Sequence, residues 1–135
     1  METIHWLWEA SQKQICSTAV RGGSGATSGV VMAQAWHLER FADFVGKLAA
    51  VPDGDGTLLD HSMFLYGSNM SNSDKHNGHP LPTILVGGGN GTHKGGQHLE
   101  PSSPTPLANL HMAILEKVGA PQKTFGDSTG TIAGV

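Results

Sequence analysis

The chain has 135 residues, 38% of them hydrophobic and 14% charged, with 19 glycines and a formal net charge of −3. That length allows one domain with a modest core, and an acidic balance without any run of Lys and Arg argues against a nucleic-acid groove. The single Cys16 rules out an intrachain disulfide and a cysteine-based metal cluster, and no apolar run approaches the roughly 18 residues needed to span a bilayer.

Residues 1–34 read as an atypical, poorly ordered lead-in. Trp6 and Trp8 sit in a short apolar group without a decisive period, and RGGSGATSG has the composition of a flexible linker. The first ten residues have neither a basic n-region nor an apolar core of the kind an export signal carries.

From Val31 the spacing of Leu38, Phe41, Val45 and Leu48 predicts an amphipathic helix of about five turns, ending near Ala50 ahead of Pro52. Asp43 and Lys47 are placed to pair at i,i+4. The stretch Pro52-Asp53-Gly54-Asp55-Gly56-Thr57 has a faint likeness to a calcium loop, but residue 64, where such a loop needs Glu, is Phe. A tight turn is the better reading, with Thr57 capping a single helical turn over 58–61.

Two apolar runs follow, Met63 to Tyr66 and Thr83 to Val86, each bounded by Gly or Pro. Runs of this length read as strands buried on both faces, as in a parallel or mixed sheet of an α/β protein. The loop between them holds Ser68, Asn69, Ser71, Asp74, His76 and His79, and loops at the carboxyl ends of strands are where functional groups collect in such folds. Five of the eight histidines fall between positions 61 and 98, which favours metal or phosphate chemistry. His76 and His79 suit a metal-ligand or acid–base pair, because imidazole titrates near neutrality and binds borderline metals. The competing reading is a pair of rings that bond the loop's own backbone. Asp74 would orient a histidine or merely form the turn. Ser68 and Ser71 lack a G-x-S-x-G setting and are not nucleophile candidates.

Further on, GGGNGTHKGGQHLEP matches neither a P-loop nor a dinucleotide fingerprint and reads as a glycine turn flanked by His93 and His98. Pro101 to Pro106 forms a rigid connector that closes with Thr105 as N-cap and Pro106 at the first helical position. A second helix then runs to about Val118, with Leu107, Leu110, Ile114, Leu115 and Val118 on one face and Gly119 as its stop. The tail should pack Phe125 against this helix and turn at Asp127, Ser128 and Thr129.

From Ala35 onward, AWHLERFADFVGKLAAVPDGDGTLLDHSMFLYGSNMSN, KHNGHPLPTILVGGG, GGQHL, TPLANLHMAILEKVG and FGDSTG occur in an order and spacing that closely resemble the carboxyl-terminal part of the DUF1552 family. Residues 35–135 would then be that part of a longer domain, while residues 1–34 do not resemble the family segment expected there. The resemblance implies a bacterial protein, exported in its full-length form, with a partial alkaline-phosphatase-like α/β fold of short strands flanked by two amphipathic helices. It also implies a divalent metal ion and, as substrate, a small phosphate or sulfate ester. LLDHSMFLYGSNMSN looks like the sulfatase segment that ends in metal-binding residues, which sets Asn69 beside His76 and His79 as metal ligands. Here the superfamily's carboxylate is replaced by the amide of Asn69 and the next ligand by Met70, a departure that weakens metal binding. The superfamily's nucleophile lies in an amino-terminal half that this sequence does not contain. Two functions follow: a degenerate or altered hydrolase site, or a non-enzymatic binding or cell-envelope scaffold module.

Overall fold

A computed structural model describes residues 26–72, 75–101 and 103–135; the Trp6 and Trp8 region, Asp74 and most of the lead-in lie outside them. The described residues form helix α1 (Ala26–Ala50), strands β1 (Pro52–Asp53), β2 (Gly56–Thr57), β3 (Phe64–Gly67) and β4 (Thr83–Val86), and helix α2 (Leu107–Lys117). The class is mixed α and β, with two helices and two small antiparallel sheets, β1 with β2 and β3 with β4.

Helix α1 begins one turn earlier than the apolar spacing announces and takes in the end of the stretch that reads as linker. Its inward stripe is the expected one. Leu38 and Val45 are buried, Phe41 stacks on Tyr66 at 4.6 Å between centroids, and Phe44 meets Phe64 edge-on at 5.2 Å. Asp43 does not pair with Lys47; it takes Arg40 at 3.2 Å, one turn back on the same exposed surface.

The two long strands fall where the apolar runs are, but their setting corrects the expectation of double burial in a parallel or mixed sheet. β3 and β4 pair antiparallel, with Phe64 opposite Val86 and Tyr66 opposite Ile84. Phe64 and Tyr66 share a face because side chains alternate along a strand, and α1 covers that face. Leu65 points the other way and is exposed. A two-stranded ribbon under one helix has one face to bury, so β3 alternates between half-buried and exposed positions.

Around 51–62 the chain folds tightly. Gly54 turns the β1–β2 hairpin at φ +58°, and Leu58 N–H closes it on the Val51 carbonyl at 3.0 Å. Thr57 does cap the turn that follows: its Oγ1 accepts from Asp60 N–H at 3.3 Å. In return the Asp60 carboxylate accepts from Thr57 N–H at 2.8 Å and Thr57 Oγ1 at 2.7 Å. These hydrogen bonds from Thr57, its hydroxyl foremost, hold the Asp60 pKa below the ordinary carboxylate value. A carboxylate whose folded pKa is depressed stabilises the fold above its unfolded pKa and loses that contribution as the pH falls through the folded value. Asp60→Asn should therefore flatten the loss of stability between about pH 5 and pH 2, read as urea midpoints of the two proteins across that range. A parallel decline in both would show that the turn does not use the charge.

Helix α2 ends as the residues announce and begins differently. Gly119, at φ +77°, donates to the Glu116 carbonyl, and Ala120 N–H reaches Leu115. At the start, Pro106 holds the cap position without a side-chain bond, while the Thr105 hydroxyl turns back to donate to Ser103. Its buried face is Ala108, Asn109, Leu110, Met112 and Ala113, whereas Leu107 and Val118 are exposed. The tail comes close to that face: a Cβ at Gly126 would touch the Ala108 methyl at 3.8 Å. Phe125 adds an edge contact to His111 at 5.5 Å, and its N–H donates to Ser128 Oγ, so the tail turn forms where the sequence puts it.

Candidate functional site

The loop between β3 and β4 is pinned by its own polar groups. Ser71 N–H donates to the Asn77 carbonyl at 2.9 Å, Asn72 N–H to Asn77 Oδ1 at 3.0 Å, and Lys75 N–H to Asn72 Oδ1 at 3.1 Å. An isolated antiparallel bridge joins Asn72 to Asn77. These bonds make a small closed loop whose tip carries His76. That residue takes φ +51°, a left-handed conformation that a residue with a Cβ adopts only at some cost. His79 follows, joined to Pro80 by a cis peptide.

Both imidazoles face solvent. His76, His79 and Asn69 are exposed, and Ser68 Oγ accepts from Met70 N–H at 3.1 Å. Asp74 lies outside the described residues. Among the described residues no three His, Cys, Asp or Glu side chains stand close enough to share a metal ion. Asn69, the third ligand of the expected set, offers a neutral amide oxygen, a poorer partner for a dication than a carboxylate.

The glycine turn after β4 has a different use from an anion cradle. Gly88 N–H donates to Leu59, Gly89 N–H to Ser62, and Asn90 N–H to Asp60, at 2.9, 3.1 and 2.9 Å, so these amides are spent on the carbonyls of the 57–62 turn. The two backbones lie too close for side chains. A Cβ at Gly87 would stand 2.1 Å from the Ser62 oxygen and one at Gly88 2.6 Å from the Asp60 oxygen. His93 belongs to this clasp: its Nδ1 lies 2.8 Å from the Gly87 carbonyl and so carries the proton in that bond. Lys117 ties the end of α2 to the same loop by donating to the Thr92 carbonyl. His98 is exposed.

Sequence reading missed one constellation. His61 lies between two carboxylates of the β1–β2 hairpin, with Nδ1 2.9 Å from Asp53 Oδ2 and Nε2 3.2 Å from Asp55 Oδ1. Its side chain is 26% exposed and that of Asp55 97%. The hydrogen bond to Asp53 is the main cause that raises the His61 pKa above its ordinary value; the charges of both aspartates add to it, and partial desolvation opposes it. The two ring nitrogens point in opposite directions, so this is an ion-paired cluster and not a converging ligand set. The clue in the sequence was a histidine one turn beyond an Asp-Gly-Asp hairpin, a spacing that becomes informative only once the turn geometry is known.

Compared with protein-family models, with curated proteins and with solved structures, the chain matches none of them.

Proposed function

We propose that this chain is a non-enzymatic binding or cell-envelope scaffold module, the carboxyl-terminal part of a longer exported protein of the DUF1552 type. The observation that carries this reading is the outer side of α1. Met32 is 71% exposed and Trp36, one turn on, 56% exposed, with the Arg40 guanidinium 5.7 Å over the indole ring. Trp, Met and Arg are the residue types that protein interfaces favour over the rest of the surface. A large indole left in water on a well-formed helix is poorly explained by the packing among the described residues, whose inward stripe on the helix lies elsewhere.

A second reading is an altered metal-hydrolase-like site that takes a small phosphate or sulfate ester and is completed by residues outside this chain. His76 favours it, because a histidine held at positive φ on a self-bonded loop is the kind of local strain that functional loops tolerate. In this reading Ser68, Asn69, Asp74, His76 and His79 would line the altered site.

Two measurements separate the readings. A photo-crosslinking residue at position 36 should give protein adducts in cells where one at exposed Gln97 gives none. The purified chain should bind no stoichiometric metal and turn over neither aryl phosphate nor aryl sulfate. Stoichiometric zinc, calcium or manganese that disappears in His76→Ala would instead establish the second reading, and equal labelling from positions 36 and 97 would end the first.

A further inference from the structure

We infer that His61 is a pH-operated latch: as an imidazolium it ties both aspartates of the β1–β2 hairpin to the turn ahead of β3, and on losing its proton it releases Asp55. The geometry requires this because a neutral imidazole has one N–H and one lone pair. With Nδ1 donating to Asp53 at 2.9 Å, a neutral ring would direct the lone pair of Nε2 at the Asp55 carboxylate 3.2 Å away, and like partial charges at that distance repel. Only the doubly protonated ring satisfies both contacts at once.

The ring is seated for this role. His61 Cε1 lies where a Cβ at Gly54 would come within 3.8 Å, so the imidazole covers the tip of the hairpin and its two nitrogens reach the residues on either side of that glycine. The charged groups that bear on it are Asp53 and Asp55 from the hairpin and Asp60 from its own turn. Helix α1, which packs on β2, carries Lys47 in its last turn. The two hairpin carboxylates favour the charged ring.

Release is asymmetric. Asp53 keeps its bond from Nδ1 in either state, whereas the Asp55 carboxylate, almost wholly in water, has among the described residues only the Nε2 contact. Loss of the proton therefore frees the Asp55 side chain, while the Leu58 N–H bond that closes the hairpin and the backbone bonds from the glycine loop to Leu59, Asp60 and Ser62 involve no ionisable group and stay closed. A group with a raised folded pKa stabilises the fold fully below its unfolded pKa and ceases to do so as the pH rises through the folded value. The latch is thus shut on the acid side and opens on the alkaline side.

The test is an NMR titration of the whole chain, following the His61 ring and the amides of Gly54, Asp55 and Gly56, with the same ring in the urea-unfolded chain as reference. The ring should titrate at a higher pH when folded than when unfolded, and the three hairpin amides should move with the same midpoint. Asp55→Asn should shift that midpoint downward and Asp53→Asn should shift it further. Asp55 is so exposed that its substitution leaves the fold intact, so the test holds even where Asp53→Asn does not fold. A folded midpoint at or below the unfolded one, or hairpin amides indifferent to the ring's titration, would overturn the latch.

Discussion

Gly87→Ala is expected to be the most damaging single methyl group that can be added to this chain. The new Cβ would meet the Ser62 carbonyl oxygen at 2.1 Å, and Gly87 sits at φ +105°, where any L side chain is strained. Ser62 cannot retreat cheaply, because its oxygen also accepts the Gly89 N–H and its residue links the turn to β3. Positive-φ strain alone costs about 1 kcal/mol or more, and a backbone clash with no flexible side chain to absorb it should bring the total to at least about 3 kcal/mol, a large part of the roughly 5–15 kcal/mol that holds a domain together. Gly91→Ala provides the control. That glycine has φ +81° and nothing within 4 Å of the added atom, so it should register the strain alone, about 1 kcal/mol. Urea midpoints of the two variants should differ widely; similar values would mean that the glycine loop does not bear on the turn as its hydrogen bonds imply.

Asn109→Ala should be the second large effect, confined at first to the tail. Asn109 is 5% exposed, and its amide serves Thr129 twice: Oδ1 accepts from Thr129 N–H at 2.8 Å and Nδ2 donates to Thr129 Oγ1 at 3.1 Å. Truncation removes both bonds, each worth about 1 kcal/mol net, so the cost should be about 2 kcal/mol, with the exposed Thr129 turning its freed amide to water. Detachment of the tail from α2 exposes Ala108 and the Phe125 edge of His111 as well. Amide exchange at Thr129 should speed up by at least tenfold, and limited proteolysis should cut between Gly119 and Thr129 before it cuts elsewhere. Exchange unchanged from the parent protein would mean that the tail is held by something other than Asn109.

The helices were legible because a helix facing a core repeats itself. Leu38, Phe41 and Val45 mark α1 without further information, and Gly119 with Pro121 marks the end of α2. The start of α2 was less legible: Thr105 has the right chemistry for a cap, but Pro104 and Pro106 set the chain direction so that its hydroxyl meets Ser103. Strand positions were also readable from two apolar runs between Gly and Pro. Their partner and exposed face were not, since Phe64-Leu65-Tyr66 is apolar at every position and carries no alternation to say which side meets α1.

Of the candidate loop, the sequence marks a polar segment but is silent on the Asn72–Asn77 bridge that closes it and on the outward direction of His76 and His79. The Asp53–His61–Asp55 cluster was hidden for a related reason. Asp-Gly-Asp reads as turn chemistry wherever it occurs, and only the path of the chain through Thr57 and Asp60 returns His61 to it.

The order of residues by itself therefore determined where the body of each helix, the two longer strands β3 and β4 and the main turns lie, and which loop gathers polar side chains, because those properties depend on neighbours within one or two turns of chain. Tertiary structure alone decided that the glycine run is a backbone clasp, that the two long strands form a ribbon covered on one face, and that Trp36 and the two loop histidines face water while His61 is held by two carboxylates. Those outcomes rest on contacts between residues five to some thirty positions apart, and such contacts arise from chain direction and close backbone approach, which leave no periodic trace in a sequence.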